Sequence, residues 1–312
     1  MVIVTGGNGY VATYTLQQLI RTNNESVSAL VRSEAHFDKV HSLGALPVKG
    51  DVTDTSSLDA AFKGVDRVIH LAAVNRDRGR STMNAVNAQG TINVVDAARR
   101  AGVKQLVTVV GLGADATKTY PLARTQGVGV DYLVHSGLPY TVLEASVIFG
   151  PGDEFINTLA GMARIPPFVI VPGDGRTKFQ PIAVQDVAAC VVRSLNNQAV
   201  LGTQQQICGT QVLTLEAIID AILRELNLRR VKIHVPVRLL RVAVQAMDKL
   251  LPRAPVTPSL LAQLGVDNVA TMNTIESVFG IKPMRLADGI AYVHDMRLGA
   301  LVRRSLGMAN YR

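Results

Sequence analysis

The chain has no tryptophan and aromatic residues make up only 4% of it, so it is poor in the stacking platforms on which nucleic-acid binders lay unpaired bases. Cysteine is nearly absent. Cys190 and Cys208 have neither the CxxC spacing of a zinc or redox site nor enough partners for a disulfide framework, which points to a reducing compartment and to two packed, unreactive side chains. Charged residues reach only 18% against 48% apolar, a balance too hydrophobic for a disordered chain. Long apolar runs are missing as well, and none approaches the ~20 residues of a membrane-spanning helix. What these absences leave is a soluble, globular chain of 312 residues, long enough for one large domain or two modest ones around a sizeable core.

The N-terminal segment is the most informative. Val2-Ile3-Val4-Thr5 is a short β-branched run, followed by Gly6-Gly7-Asn8-Gly9-Tyr10-Val11-Ala12 and then by Leu16, Leu19 and Ile20 at helical spacing. Strand, glycine turn and helix in this order, with Gly7-x-Gly9-x-x-Ala12, fit the dinucleotide fingerprint. Its glycines allow a tight turn and a close approach to pyrophosphate, and the helix N-terminus offers amides and a favourable dipole. Met1 leads directly into the strand, so no targeting peptide is expected in this chain. Further strands are expected at 27–31, 46–48, 65–71, 105–110 and 140–143, with helices between them at 83–101 and 127–136. That alternation predicts a parallel, doubly wound α/β sheet of the Rossmann type with ligand at the strands' carboxyl ends.

The end of the second strand reads Val31-Arg32-Ser33, where an NAD-selective site places an acidic residue on the ribose. A cation and a hydroxyl suit a 2′-phosphate instead, so NADP(H) is expected over NAD(H). Asp51 and Val52 follow the third strand, where Asp51 can accept from an adenine amino group. Leu71, Ala72 and Ala73 follow the fourth, where small side chains let a cofactor pass close to the backbone.

With these motifs in place, the chain resembles the short-chain dehydrogenase/reductase superfamily in its extended and atypical branches. The resemblance rests on TGGNGYVA at the first turn, GDVTD at 50–54, LAA at 71–73 and VNAQGTINVVDAARRAGV at 86–103. SGLPYTVLEASVIFGPGDEFIN at 136–157, PGDGRTKFQPIAVQDVA at 172–188 and VTPSLLAQLGVDNV at 256–269 narrow it to the subgroup that includes the dehydrogenase-like accessory subunit of respiratory complex I and its bacterial relatives. Active members of the superfamily use a Tyr, a Lys four residues later and a Ser or Thr at the end of the preceding strand. Ungapped counting places these roles on Leu122, Gln126 and Val110, none of which can exchange a proton or hold a phenolate by charge. Tyr120 and Arg124 share the spacing of four and are the remaining catalytic candidates, but Pro121 suits the first turn of a helix and would leave Tyr120 at its N-cap. Glu144-Ala145 stands where relatives tend to carry Arg-Pro. No metal site is expected, because His36, His41, His70, His135, His234 and His294 have no ligand spacing.

Carboxylates are scarce at the other end of the chain. Residues 1–228 balance 19 basic against 19 acidic side chains, whereas residues 229–312 hold 13 against 5, the whole of the net charge of +8. A helix over 237–251 places Arg238, Arg241, Gln245, Asp248 and Lys249 on one stripe and Leu240, Val244, Met247 and Leu251 on a wide apolar face. It suits an interfacial helix or a lid over a core equally well. The tail from Arg297, with Arg303, Arg304 and Arg312, suits an anionic surface or an acidic assembly.

The expected organisation is a nucleotide-binding domain at 1–150, joined by 177–196, and a smaller basic lobe at 151–176 and 197–312. The resemblance implies an NADP(H)-binding, catalytically impaired accessory subunit of complex I. It would be peripheral on the matrix face of the mitochondrial inner membrane or on a bacterial cytoplasmic membrane, touching anionic lipid through 237–251 and 297–312. A free-standing oxidoreductase acting on a quinone or lipid-like carbonyl is the rival. An RNA-binding relative, suggested by charge alone, is disfavoured by the scarcity of aromatics.

Overall fold

The computed structural model describes residues 1–22, 25–250, 256 and 258–295. They form two compact units. One comprises residues 1–145, 184–208 and 270–282, and the other residues 146–183, 209–269 and 283 onward.

The first unit is built on a seven-stranded parallel sheet. Strands β1 (Val2–Thr5), β2 (Val27–Val31), β3 (Leu46–Lys49), β4 (Arg67–His70), β5 (Gln105–Gly111) and β6 (Tyr140–Ala145) are joined by a further strand, Thr203–Ile207, in the order Thr203–Ile207, β6, β5, β4, β1, β2, β3. Every pairing is parallel, so each connection must cross over, and helices fill the crossovers: α1 (Tyr10–Thr22), α2 (Phe37–Ser42), α3 (Thr55–Ala61), α4 (Gly90–Arg100) and α5 (Pro121–His135). All residues of β1 and β2 are buried, as strands covered on both faces must be. Leu58, Phe62, Val94, Leu106 and Leu133 form one side of the core, each burial contributing roughly 2 kcal/mol, while α1 packs on the helix Val184–Ser194.

The expected parallel α/β sheet is present, and its six anticipated strands lie within a residue or two of their expected ends. The seventh, Thr203–Ile207, was not anticipated: TQQQI carries no apolar alternation, and the strand is held by its pairing with β6 at the sheet edge. Cys190 and Cys208 are both buried and not joined in a disulfide, and burial pushes the Cys190 thiol well above its ordinary range.

The second unit packs Phe149, Ile156, Leu159, Val171, Phe179 and the buried face of the helix Leu215–Glu225 into its own core. Motif residues hold its frame. Asp153 accepts from the amides of Ile156 (2.7 Å) and Asn157 (3.2 Å) at the start of the helix Phe155–Ala163, and from the Tyr292 hydroxyl. Asn268 Oδ1 accepts from the Ser146 hydroxyl (2.7 Å) and the Val147 amide (3.2 Å). Three short strand pairs complete the unit, among them Phe168–Pro172 with Val231–Val235 in parallel.

The helix Val237–Leu250 carries more exposed apolar surface than the single face read from the sequence. Leu240, Val244 and Met247 are buried or half-buried, while Leu239, Val242 and Leu250 are exposed. The apolar set read from the sequence is thus turned toward protein, and a second set faces outward. Leu251 and the tail, with Arg297, Arg303, Arg304 and Arg312, lie outside the described residues.

Candidate functional site

β1 stops at Thr5 because Gly6 turns into the left-handed region at φ +68°. A Cβ on Gly6 would stand 2.8 Å from the backbone N and Cα of Ala72, and one on Gly7 would stand 2.6 Å from the Ala29 Cβ. The glycines therefore let the turn sit directly on the ends of β2 and β4, at the point where strand order reverses on either side of β1. The Gly7 amide donates to the Leu30 carbonyl (3.0 Å) and the Gly9 amide to that of Gly6 (2.8 Å). The first helical bond of α1 runs from the Thr13 amide to the Gly9 carbonyl (3.1 Å), so the amides of Val11 and Ala12 stand ahead of the helical ladder. A backbone cradle with a helix N-terminus behind it is a fitting seat for a pyrophosphate.

Around this turn the fold gathers several of the expected residues. Arg32 is exposed at the end of β2, its Nη1 donating to Ser81 Oγ (3.2 Å), and Ser33 caps the next turn by accepting from the Ala35 amide (3.3 Å). Lys39, not singled out from the sequence, donates from Nζ to the carbonyl of Asn8 (3.1 Å). A second cation thus lies over the glycine turn. Leu71 and Ala72 are half-buried beside Gly6, and Ala73 is exposed. Tyr10 begins α1 and meets Tyr14 edge-on at 5.7 Å.

The GDVTD motif has a local structural task. Asp51 Oδ1 accepts from both the amide and the hydroxyl of Thr53 (2.9 Å each), and Asp54 caps α3 by accepting from the amides of Ser56 (3.1 Å) and Ser57 (3.5 Å). The hydrogen bond from the Ser56 hydroxyl holds the Asp54 carboxyl below its usual range. Val52 is buried, and its carbonyl accepts from Asn93 Nδ2 (2.9 Å).

Beneath the turn a buried polar relay links β1, β4 and α4. The Thr91 hydroxyl donates to the Asn87 carbonyl (2.7 Å), so it accepts from His70 Nε2 (3.0 Å), while Thr5 Oγ1 donates to His70 Nδ1 (2.8 Å). That direction at Thr5 holds for the neutral ring, which burial favours by lowering the His70 pKa to about 4. Asn87, within a π-helical turn at Asn84–Gln89, clamps the chain after β4 by exchanging two 2.8 Å bonds with the Val74 backbone.

At the carboxyl end of β5, Val110 is buried and Leu122 half-buried. Gln126 Oε1 accepts from the Gly111 amide (3.0 Å), so position 126 reaches the strand end with a neutral side chain already engaged by backbone. Pro121 occupies the first turn of α5 and Tyr120 its N-cap, with extended backbone angles and an exposed side chain; Arg124 is exposed as well. Glu144 lies opposite Val110 on β6 and accepts from the Gly113 amide (3.4 Å).

The sequence pattern of a family described as NAD(P)H-binding matches residues 6–198, more than half of the chain and the whole of this constellation. The chain belongs to that family. Its motifs and fold place it among the proteins related to short-chain dehydrogenases. It is 25% identical over 225 residues to the mitochondrial NADH dehydrogenase [ubiquinone] 1 alpha subcomplex subunit 9 of Dictyostelium discoideum, covering 70% of this chain and 62% of that one. It is 27% identical over 210 residues to the 2-alkyl-3-oxoalkanoate reductase of Stenotrophomonas maltophilia, covering 60% of this chain and 62% of the reductase. In both cases the match spans less than two thirds of the relative's length. The Citrobacter sp. triphenylmethane reductase solved with NADP(H) shares the fold, with a TM-score of 0.76 over 94% of this chain and 99% of that one at 19% identity. A respiratory subunit and a reductase thus sit side by side among the relatives, so what the family has in common is nucleotide binding rather than one chemistry.

Proposed function

We propose that this chain holds NADP(H) as a structural ligand, does not turn it over, and serves as an accessory subunit of respiratory complex I. The observation that carries the catalytic half is Gln126. The position that matches the superfamily's lysine does reach the end of β5, but a neutral amide occupies it and is bonded to the Gly111 N–H. Val110 and Leu122 supply no proton donor beside it. Tyr120 lies ahead of α5 rather than within it, which separates it from the place of the missing tyrosine.

In this reading Gly6, Gly7, Asn8, Gly9, Tyr10 and Val11 seat the pyrophosphate, and Arg32, Ser33 and Lys39 receive the 2′-phosphate. Asp51 and Val52 border the adenine, and Leu71, Ala72 and Ala73 floor the path toward the nicotinamide. A bound nicotinamide nucleotide would supply hydride chemistry; the chain's own residues bind and orient it but offer no proton to a partner substrate. A ligand that binds the folded state alone stabilises it by mass action, by about 2.7 kcal/mol at a hundredfold excess over Kd. The basic end, through 237–251 and 297–312, attaches to the complex and the adjoining anionic membrane, on the matrix face in a mitochondrion or the cytoplasmic face in a bacterium.

Purification under native conditions tests this. Co-migration with complex I, nucleotide retained, and no NADPH oxidation with a panel of quinones and carbonyls is the expected result. A protein that migrates alone and oxidises NADPH would overturn the proposal in favour of a free-standing reductase.

A further inference from the structure

The strand pair Phe168–Pro172 and Val231–Val235 is amphipathic in the wrong sense for a surface ribbon. Its register puts Phe168 beside Val231 and Ile170 beside Ile233 on one face, and Val169 beside Lys232 and Val171 beside His234 on the other. The charged residues are on the side turned to the helix Leu215–Glu225: Lys232 Nζ pairs with Glu216 (2.7 Å) and Asp220 (2.9 Å), and His234 Nε2 lies 3.4 Å from Glu216. The apolar face is open to solvent, as is His234 on the other face. Phe168 is 49% exposed, Val231 61%, and Ile170 and Ile233 39% each, with Ile165 at 52% just ahead of the strand. Contiguous apolar surface of this kind on a water-soluble unit marks a binding face.

What surrounds the face decides its partner. Residues 162–173 hold Arg164 and no carboxylate, and residues 226–247 hold Arg229, Arg230, Arg238 and Arg241 and again none, Lys232 lying on the other face with Glu216 and Asp220. Arg229, Arg238 and Arg241 are exposed. A second copy of the chain would set these arginines against their own counterparts. A protein interface of this size would normally be anchored by Trp, Tyr or Arg seated in a pocket, whereas this face offers one Phe and four aliphatic side chains. Aliphatic side chains edged by arginine match the acyl and headgroup layers of an anionic bilayer.

We infer that the Phe168–Val231–Ile170–Ile233 face enters the surface of an anionic lipid bilayer, with Arg229 and its neighbours on the headgroups. Val235 and Pro236 lead straight into the helix Val237–Leu250, whose outward set of Leu239 (64% exposed), Val242 (68%) and Leu250 (80%) is edged by Arg238 and Arg241 in the same manner. The inference rests on the membrane reading given above for that helix and moves its principal lipid contact to the ribbon. It does not depend on the nucleotide.

The test is sedimentation of the full chain with phosphatidylcholine vesicles, with and without phosphatidylserine. The wild type should sediment with the phosphatidylserine vesicles alone, less so as salt rises. A variant carrying Phe168→Thr, Ile170→Thr, Val231→Thr and Ile233→Thr keeps β-branched residues in the strands, and should bind at least tenfold more weakly with unchanged melting temperature and NADPH affinity. A helix variant, Leu239→Gln with Val242→Gln and Leu250→Gln, should lose less. If the ribbon variant binds vesicles as the wild type does while the helix variant does not, the ribbon assignment is wrong and the helix reading survives. If the wild type ignores anionic vesicles, or the ribbon changes instead release a partner protein, the lipid assignment fails.

Discussion

His70 is a titratable group kept neutral by burial, between the Thr5 and Thr91 hydroxyls, with a pKa of about 4 in the fold against 6.5 for an ordinary histidine. Between those two values the unfolded chain holds a proton that the folded chain refuses, so stability falls as pH falls through that window, by up to about 3 kcal/mol. Chemical denaturation of wild type and His70→Asn at pH 7.5 and pH 5 checks this: the wild type should lose markedly more stability than the variant on acidification, and equal losses would exclude His70 as the source. Arg32 and Lys39 carry the second residue-scale expectation. Arg32→Glu should weaken NADPH binding at least tenfold while changing NADH binding little, and Lys39→Glu, over the pyrophosphate turn, should weaken both with the larger loss for NADPH, measured by titration of both nucleotides. The place of Arg32 was legible in the sequence because it follows the second strand at a fixed distance from the glycine turn. Lys39 was not, since one lysine on a six-residue helix carries no pattern and reaches Asn8 through the tertiary fold.

At the scale of elements, α5 decides the chemistry. Pro121 sets its first turn, which leaves Tyr120 at the N-cap and brings position 126 to the end of β5. Tyr120→Phe should therefore leave nucleotide affinity and any residual NADPH oxidation unchanged. A loss of oxidation specific to this variant would reinstate Tyr120 as a proton donor. Gln126→Ala should cost about 1 kcal/mol of stability, the usual price of a lost hydrogen bond, without altering turnover. The first strand, its turn and α1 were readable because a β-branched run, glycines and helical periodicity agree with one another. The strand Thr203–Ile207 was hidden by its glutamines, because an edge strand is fixed by its neighbour's open hydrogen-bonding groups rather than by its own hydrophobicity. The strand Val231–Val235 illustrates another limit: alternation reveals two faces but not which residues find partners, and here Lys232 turns to the helix Leu215–Glu225 while Val231 and Ile233 stay exposed.

At the scale of the whole molecule, the net charge of +8 belongs to the last 84 residues, and the nucleotide-binding part of the chain is close to neutral. The charge therefore argues for attachment rather than for cofactor affinity. Among the described residues no helix is long and apolar enough to cross a membrane. The central claim is that the nucleotide is held and not consumed. The most direct measurement is to isolate the protein under native conditions, release and identify its nucleotide by mass spectrometry, and follow NADPH oxidation in the same preparation with quinones and carbonyls. Stoichiometric NADP(H), retained through purification with no oxidation above a nucleotide-only control, is what the account predicts. An empty protein, or one that oxidises NADPH steadily, would contradict it.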